Sequence, residues 1–371
     1  MSNGKTILLV GGGTGGHIVP IFELYDKLKS TEPDIKVKVV GGGTWVEQQF
    51  FSSSKDYIVI ETGKFHRSFA LKNIGEIRKF ILGRSMAKKI LIDLKPDLIF
   101  SKGGYVSLPI IYWAKKLKIP YFIHESDIEM GEANKFAANS AKKIFVGFET
   151  DNYSMVNNGK IIFAGQFISP KLIPTSKKVG LFNNNKPTIF VTGGSQGASA
   201  INDIVIEIIP SLLESYNVIH QTGAADFSKV AKTRDMLGSS LRSSYIIKDF
   251  FSHTDEAESI YRIFGSSDLF IGRASITFPA EAAISEIPMI LIPYPHAAGD
   301  HQLKNGIALE KAGACVLIRQ RDLSVDKLRT QIDDLIVDHE KRDKMIANAK
   351  KSFSKNALDI VSQAILEEIK E

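Results

Sequence analysis

The chain has 371 residues, of which 44% are hydrophobic and 24% charged, and its formal net charge is +6. This composition is typical of a soluble globular protein, and the length predicts two domains. The single cysteine, Cys315, excludes an intrachain disulfide framework and a multi-cysteine metal site, and no run of about 18 apolar residues predicts a membrane span.

Strand and helix patterns alternate along the chain, which is typical of parallel sheets covered by helices on both faces. The first half contains strand candidates at residues 6–10, 36–40, 57–60, 97–100, 120–123 and 144–146. The second half contains candidates at residues 188–192, 217–220, 244–247, 268–271, 288–292 and 314–318. From Val325 onward the pattern predicts amphipathic helices without strands.

A stretch rich in turn residues near 165–186 separates the two sets of strands and is the predicted linker. We therefore predict an α/β protein with two Rossmann-like, doubly wound parallel-sheet domains, residues 1–165 and 166–352, that face each other across a cleft. Ligands of such sheets bind beyond the carboxyl ends of the strands, so function is expected in the loops that follow the strands.

The run from Gly11 to His17 is the most informative of these loops. It places five glycines and Thr14 between an apolar strand candidate and a helical pattern. Glycines let the backbone approach a phosphate, and a helix N-terminus supplies free N–H groups, so the loop predicts an anion site. His17 adds a group that moves protons near neutral pH. A turn without a ligand is the alternative, although so many glycines are entropically costly in a turn alone.

Two other nucleotide-binding motifs fit this loop less well. A nicotinamide site needs an acidic residue at the end of the next strand, but that strand ends in Gly41-Gly42-Gly43-Thr44, and Glu47 lies further on. A P-loop needs Lys-Ser or Lys-Thr after the glycines, and neither follows Gly16. A nicotinamide-dependent oxidoreductase is therefore disfavoured.

Two more loops of the first half carry polar residues after strands. One contains Gly103 and Gly104 within Ser101–Ser107, and the other is His124-Glu125-Ser126-Asp127. A histidine and two carboxylates at the end of a strand suit acid–base chemistry or contacts to sugar hydroxyls. The alternative is structural, because Ser126 or Asp127 could cap the segment that follows.

The second half repeats this placement. Gly193 to Ala198 forms a second glycine turn after a strand, Gly272 to Glu281 opens a helix, and Asp300 to Asn305 follows an apolar strand. The Glu281 carboxylate suits a ribose because it accepts two hydroxyl hydrogen bonds, or else it only complements the helix dipole. The cluster at 300–305 offers further partners for sugar hydroxyls.

In this order the motifs resemble the MurG family, which are UDP-N-acetylglucosamine:lipid-linked muramyl-pentapeptide N-acetylglucosaminyltransferases. The resemblance covers nearly the whole chain and is carried by Gly11 to His17 with Pro20, Gly103 to Ser107 with Pro109, His124-Glu125 with Gly131 and Asn134-Lys135, Gly193 to Ala198, Arg273 with Glu281, and Asp300-His301-Gln302 with Asn305. It implies a GT-B fold whose first domain binds the lipid-linked acceptor and whose second binds UDP-N-acetylglucosamine. It also implies a C-terminal helix, about residues 353–371, that packs back on the first domain.

The resemblance implies roles for individual residues. The acceptor diphosphate is expected at Thr14, Gly15, Gly16, His17, Gly103, Gly104, Tyr105 and Asn134. The donor is expected at Gly194, Ser195, Gln196, Gly197, Arg273, Thr277, Glu281, His301 and Gln302, with Glu281 on the ribose. The chain departs from the family at three places: Ser126-Asp127 replaces Gln-Asn, Ser275 replaces a glycine, and Ser169 replaces the junction arginine that would meet the donor diphosphate, for which Lys171 is a substitute candidate.

The implied reaction is an inverting sugar transfer, in which the 4-hydroxyl of the muramyl sugar attacks the anomeric carbon and UDP leaves from the opposite face. A base must take the hydroxyl proton: His17 is the first candidate and Asp127 the second, with Glu125 in the same catalytic set. No Asp-x-Asp motif stands out in a loop, so we expect no metal and no cofactor besides the donor UDP-N-acetylglucosamine.

Residues 64–95 interleave basic and apolar side chains, as segments that bind anionic lipid do. Because the acceptor is a membrane lipid and the N-terminus shows no signal segment, we expect a peripheral protein on the cytoplasmic face of the cell membrane that acts in peptidoglycan synthesis. An ordinary surface helix with its apolar face on the core is the alternative interpretation of this segment.

Two other functions compete with this one. A sugar transferase with another acceptor, such as diacylglycerol, is the nearest, although His124-Glu125 and Asp300-His301-Gln302 favour the cell-wall acceptor. Nucleic-acid binding is disfavoured, because the basic residues alternate with an apolar stripe rather than with aromatic stacking platforms.

Overall fold

The computed structural model of the protein describes residues 4–13, 15–51, 54–63, 73–153, 158–172, 180–255 and 259–370. Contacts divide the chain into two compact units. The first unit consists of residues 1–167 and 355–371, and the second of residues 168–354. The chain therefore passes through the second unit and then returns to the first.

Strands and helices alternate through the described residues. The strands are β1 (Thr6–Val10), β2 (Lys36–Gly41), β3 (Tyr57–Val59), β4 (Leu98–Ser101), β5 (Tyr121–Glu125), β6 (Lys143–Val146), β7 (Ile161–Phe163), β8 (Thr188–Thr192), β9 (Asn217–Gln221), β10 (Tyr245–Lys248), β11 (Leu269–Gly272), β12 (Met289–Leu291) and β13 (Val316–Leu317). The helices are α1 (Gly15–Thr31), α2 (Trp45–Phe51), α3 (Asn73–Leu94), α4 (Ser107–Leu117), α5 (Glu132–Ala138), α6 (Ser199–Ser215), α7 (Phe227–Asp235), α8 (Ser239–Arg242), α9 (Ile260–Gly265), α10 (Thr277–Ile284), α11 (His301–Lys311), α12 (Val325–Val337), α13 (His339–Ser352) and α14 (Ala357–Glu368).

The first unit is built on a parallel sheet with the strand order β3-β2-β1-β4-β5-β6-β7. Every residue of β1 is buried, as expected of a parallel strand that is covered on both faces. Successive side chains point to opposite faces, so Ile7 and Leu9 join the core beneath α1 and α14, whereas Leu8 and Val10 join the core beneath α3 and α4.

The second unit is built on a parallel sheet with the order β10-β9-β8-β11-β12-β13. Its main core lies between this sheet and the apolar faces of α6 and α12, where Ile189 and Val191 of β8 meet Ile209 and Ile332. Every residue of β8, β9, β11 and β12 is buried, as expected of parallel strands that are covered on both faces.

The last helix belongs to the first unit. Leu358, Val361 and Ile365 of α14 are buried in the core that α1 also covers. The Ala357 amide donates to the Gln166 carbonyl oxygen at 2.9 Å, which ties the start of α14 to the chain after β7. Residues 355–371 thus complete a core that begins at β1.

Strand order reverses once in each sheet. In the first sheet β1 lies between β2 and β4, and in the second β8 lies between β9 and β11. The loops that follow these central strands diverge at the switch point and leave a crevice at the carboxyl edge, where open α/β sheets bind ligands. Both glycine turns singled out in the sequence lie at such a point.

The predicted fold class is confirmed, with two parallel α/β sheets that alternate strand and helix. The twelve predicted strands are present, each within two residues at either end. The prediction of about six strands in the first half misses β7, which is three residues long and follows a short 3-10 turn at Asn158–Lys160. Three residues are too few to show an alternating or continuous apolar pattern.

Candidate functional sites

A buried carboxylate holds the first glycine loop, Gly11–Gly13, in place. Glu47 of α2 accepts hydrogen bonds from the Gly13 amide at 2.6 Å and from the Tyr57 hydroxyl at 2.7 Å. Gly13 has a φ of 88°, which favours glycine. One amide of the loop is therefore bound to the protein itself, and the predicted ligand residue Thr14 lies outside the described residues.

The loop after β4 packs against this first loop. A Cβ at Gly104 would lie 3.4 Å from the Gly12 carbonyl oxygen and 3.5 Å from His17 Cε1. A Cβ at Gly103 would lie 2.9 Å from Asn134 Oδ1. The structure thus brings together five of the predicted acceptor residues: His17, Gly103, Gly104, Tyr105 and Asn134, of which Tyr105 has its ring against Gly13.

Backbone donors remain at the edge of these two loops. The amides of Gly12, Gly15, Gly16 and Gly104 donate to no other residue that the structure describes. Gly15 and Gly16 form the first turn of α1, where helix amides have no intrahelical acceptor. Such a set of donors, at the positive end of a helix dipole, can hold a diphosphate.

Glu125 fixes the turn that follows β5. Its Oε1 accepts the Asp127 amide at 3.0 Å, and its Oε2 accepts the Gly131 amide at 2.8 Å and the Asn134 side-chain amide at 2.9 Å. Burial and then the Asp127 charge raise the pKa of Glu125, whereas Lys102 opposes them. A carboxylate with three protein donors organises the turn, and its place in the catalytic set stays a prediction.

His124 is part of the core rather than a proton carrier. It is fully buried, and its Nε2 lies 2.9 Å from the Gly165 carbonyl oxygen. Burial, with the nearby Lys102 charge, holds the pKa of His124 well below its ordinary value. The ring is therefore neutral near pH 7 and donates from Nε2.

Two charged residues that shape the site received no role from the sequence. Glu47 carried a signal that was available, because Thr44-x-x-Glu47 is a capping box and the Thr44 amide donates to Glu47 Oε2 at 2.9 Å. Lys102 carried none: it follows β4, is 3% exposed, and donates from Nζ to Ser126 Oγ at 2.6 Å. Burial lowers the pKa of Lys102 to about 8.

The second glycine turn, residues 193–198, joins β8 to α6. Gly197 has a φ of 75°, and a Cβ there would collide with the Thr222 carbonyl oxygen. Gly194 has a φ of 89° and open space on its side-chain side. The amides of Ser195 and Gln196 donate to no other described residue, just before a 17-residue helix. This turn therefore has the geometry of an anion site.

Arg273, a predicted donor ligand, is largely engaged within the protein. Its Nη1 donates to the carbonyl oxygens of Ile292 at 3.0 Å and Pro293 at 3.2 Å and to Gln320 Oε1 at 2.8 Å. Burial lowers its pKa to about 10, so the guanidinium stays charged near neutral pH. It joins the loop after β11 to the loop after β12, and its contact with the donor stays a prediction.

His301 and Gln302 begin α11 and present complementary groups. Gln302 Oε1 accepts the Tyr294 amide at 2.9 Å, which leaves the side-chain nitrogen as a donor. His301 Nδ1 lies 2.8 Å from the Ala298 carbonyl oxygen, so the neutral ring carries its hydrogen on Nδ1 and leaves Nε2 as an acceptor. A donor and an acceptor on adjacent residues suit sugar hydroxyls.

The remaining predicted donor residues lie on α10, which follows β11, the strand next to the central strand β8. Thr277 begins this helix and is half-buried, and Glu281 lies one turn further on at 2% exposure.

Within the part of the chain that the structure describes, no three His, Cys, Asp or Glu residues form a candidate metal site. None of the described helices is long and apolar enough to span a bilayer.

Two family profiles match the chain: the glycosyltransferase family 28 N-terminal domain over residues 7–146, and the glycosyltransferase family 28 C-terminal domain over residues 188–361. The UDP-N-acetylglucosamine--N-acetylmuramyl-(pentapeptide) pyrophosphoryl-undecaprenol N-acetylglucosamine transferase of Leuconostoc citreum is 34% identical over 97% of this chain and 98% of its own length. The protein of the same name from Listeria welshimeri is 32% identical with the same coverage. The crystal structure of Acinetobacter baumannii MurG covers 98% of this chain and 99% of its own at a TM-score of 0.69 and 22% identity, which shows a shared fold.

Proposed function

Because this chain belongs to the MurG family of family 28 glycosyltransferases, we propose that it transfers N-acetylglucosamine from UDP-N-acetylglucosamine to the 4-hydroxyl of a lipid-linked muramyl-pentapeptide. The observation that carries the proposal is the likeness, over almost the full length, to transferases named for this reaction. The two glycine turns support it, because the reaction needs one diphosphate site for the donor and one for the acceptor.

The donor belongs to the second unit in this proposal. The amides of Ser195 and Gln196 bind the UDP diphosphate and stabilise the charge that develops on it as the sugar leaves. Glu281 accepts hydrogen bonds from the ribose, and the free groups of His301 and Gln302 hold the hydroxyls of the sugar. The uncommitted amides beside the open face of Gly194 are the support for this assignment.

The acceptor belongs to the first unit. Its diphosphate binds the amides of Gly15, Gly16 and Gly104, which lie around His17 and donate to no other described residue. Tyr105 and Asn134 border the same place through their contacts with the glycine loops. The 4-hydroxyl of the muramyl sugar then reaches the catalytic base at the edge of the diphosphate site.

The chemical step is a displacement at the anomeric carbon. His17 takes the proton of the 4-hydroxyl while its oxygen bonds to that carbon, and the bond from the carbon to the UDP oxygen breaks with its electron pair on UDP. Attack from the face opposite UDP inverts the configuration through an oxocarbenium-like transition state. Asp127 is the alternative base, because the turn that carries it is fixed by Glu125 and by the Tyr153 hydroxyl, which donates to the Asp127 carbonyl oxygen at 2.6 Å.

The membrane contact is assigned to the outer face of α3. Ile81, Leu82 and Met86 are exposed there at 61%, 43% and 36%, and Lys88 and Lys89 are exposed beside them. Ala87 and Leu91 of the same helix are buried in the core, so the core-facing stripe and the exposed apolar patch coexist. The part of the predicted segment at residues 64–72 lies outside the described residues. We infer peripheral binding to the anionic cytoplasmic surface.

A transfer assay tests the proposal. Purified protein is offered UDP-N-acetylglucosamine, UDP-glucose or UDP-galactose, each with a lipid diphosphate muramyl-pentapeptide or with diacylglycerol, and UDP release and the lipid product are measured. We expect product only from UDP-N-acetylglucosamine and the muramyl acceptor. Transfer to diacylglycerol, or equal use of the three donors, contradicts the proposal.

A further inference from the structure

We propose that Lys102 is a positioning residue of the acceptor site: its buried ammonium group holds the Ser126-Asp127 turn and places a positive charge near Glu125 and Asp127. The inference rests on the proposed transferase function. It assigns a role to a residue that the sequence motifs left without one and that is not among the predicted ligands.

The course of the Lys102 side chain links two loops of the site. Its backbone amide donates to the Val10 carbonyl oxygen at 2.8 Å, and its Cβ would lie 3.2 Å from a Cβ placed on Gly11. At the other end Nζ donates to Ser126 Oγ at 2.6 Å. The side chain therefore runs from the back of the first glycine loop to the turn after β5.

The turn at the far end is held on several sides. The Gln166 side-chain amide donates to the Ser126 carbonyl oxygen at 2.8 Å, and the Tyr153 hydroxyl donates to the Asp127 carbonyl oxygen at 2.6 Å. These bonds fix the backbone of the turn, whereas Lys102 reaches the Ser126 side chain and its charge acts on Asp127. Lys102 therefore acts on the side-chain groups of this turn, whereas Gln166 and Tyr153 hold its carbonyl oxygens.

The charges around Lys102 favour its protonated form. Glu125 and Asp127 are the negative groups that raise its pKa against the effect of burial. His124 is neutral, and burial raises the pKa of Tyr153, which is neutral as well. A lysine buried to this degree is costly unless it is paired, and two carboxylates in one turn repel each other without a cation. Two further titratable groups, His17 of α1 and Glu47 of α2, border the first glycine loop.

Ser126 and Asp127 are also the two positions where this chain departs from the Gln-Asn of the family pattern. Ser126 provides the acceptor that Lys102 uses, and Asp127 adds the charge that needs compensation. The three residues therefore form a matched set in this chain.

The first test compares pH profiles of transfer for the wild type and Lys102→Met. The pKa of Lys102 is lowered to about 8, so wild-type kcat should fall as the pH rises through that value and the ammonium is lost. In Lys102→Met the fall of kcat at basic pH should be absent, and the fall of kcat at acidic pH should begin about one to two pH units higher. The kcat of this variant at pH 7 should be at least about tenfold lower than that of the wild type. The KM for UDP-N-acetylglucosamine should stay within about twofold, because the donor residues belong to the other unit.

A matched control and a second variant keep the test decisive. Lys116→Met removes an exposed lysine of the same unit and should leave both limbs unchanged. Ser126→Ala keeps the charge but removes the acceptor of its hydrogen bond, so the basic limb should move down by about one pH unit. If Lys102→Met does not fold, as judged by circular dichroism, the pH profile of Ser126→Ala decides the test. A basic limb of kcat at the same pH as in the wild type then overturns the proposal.

A direct titration separates this inference from the proposed function. Lysine labelled with ¹³C at Cε gives one resonance that Lys102→Met lacks, and the midpoint of its titration should lie near pH 8. A midpoint at the ordinary value of about 10.4 overturns the inference whether or not the protein transfers sugar. A midpoint near pH 8 without transfer from UDP-N-acetylglucosamine supports the proposed charge arrangement around Lys102 and contradicts the proposed transferase function. Wild-type pH profiles in an active Lys102→Met likewise overturn the role of Lys102.

Discussion

At the scale of single residues, two buried charged side chains make hydrogen bonds within the loops of the proposed acceptor site. Glu47 holds the Gly13 amide of the first glycine loop, and Lys102, which precedes Gly103, holds the Ser126 side chain of the turn after β5. The Gly104 amide donates to no other described residue, and we propose it as a ligand of the acceptor diphosphate. The local capping-box pattern predicts a structural role for Glu47. Lys102 instead contacts Ser126, which is 24 residues away in sequence, so no local pattern predicts its burial.

His17→Ala tests the assignment of the base. We expect kcat to fall about 10²- to 10⁴-fold, because the hydroxyl loses its proton acceptor, while the Kd of UDP stays within about twofold. Transfer kinetics and calorimetric titration with UDP measure the two effects. His339→Ala, an exposed histidine of α13, is the matched control. Near-normal turnover in His17→Ala would move the role of base to Asp127.

Continuous apolar strands and glycine turns made the elements predictable. β1 and β8 are buried at every position, so their sequences differ sharply from the helices around them. The predicted carboxyl-edge loops follow from that register, because parallel strands end at one edge. The sequence did not predict which side chains contact one another between loops. Nη1 of Arg273, for example, donates to two carbonyl oxygens and to Gln320, and these contacts depend on the packing of segments that are distant in sequence.

The second glycine turn offers a paired test of loop function. Gly194→Ala places a methyl group in open space at a φ of 89°, which costs about 1–2 kcal/mol of strain but brings no collision. Gly197→Ala adds a collision with the Thr222 backbone and should lower the melting temperature further. We expect Gly194→Ala to fold and to bind UDP at least about tenfold more weakly, as measured by calorimetric titration. Wild-type UDP affinity in folded Gly194→Ala would exclude this turn as the donor site.

The exposed patch on α3 predicts lipid binding. Replacing Ile81 and Leu82 together by serine removes two exposed apolar side chains and should weaken co-sedimentation with phosphatidylglycerol vesicles about tenfold. Met236→Ser is the control, because Met236 is 79% exposed in the second unit. Binding that neither the double variant nor added salt reduces would remove α3 from the membrane contact.

The two units form the whole molecule through a chain that leaves the first unit at residue 167 and rejoins it at 355. The core of the first unit accordingly joins β1 to α14, which are separated by most of the sequence. Periodicity predicted the last helices but gave no partner for them; that partner came from the family resemblance. Burial of α14 against α1 arises from tertiary packing, which a single sequence does not display.

Ile365→Ala tests the contribution of α14. Ile365 is fully buried, so its truncation should cost the first unit about 2–5 kcal/mol of unfolding free energy. Differential scanning calorimetry with UDP should show a lowered transition for the first unit and a UDP-stabilised transition for the second. Glu367→Ala, an exposed residue of the same helix, should leave both transitions in place. A uniform shift of both transitions by Ile365→Ala would contradict separate cores.

The return of the chain to its first unit sets an order of events during synthesis. Residues 168–354 emerge from the ribosome before residues 355–371, so the second unit can fold while the first unit still lacks α14. Until that helix arrives, the α1 side of the unfinished sheet exposes the apolar groups that later contact Val361 and Ile365. The first unit begins to be translated first but is completed last, and its apolar α1 side stays exposed to chaperones until residues 355–371 have emerged.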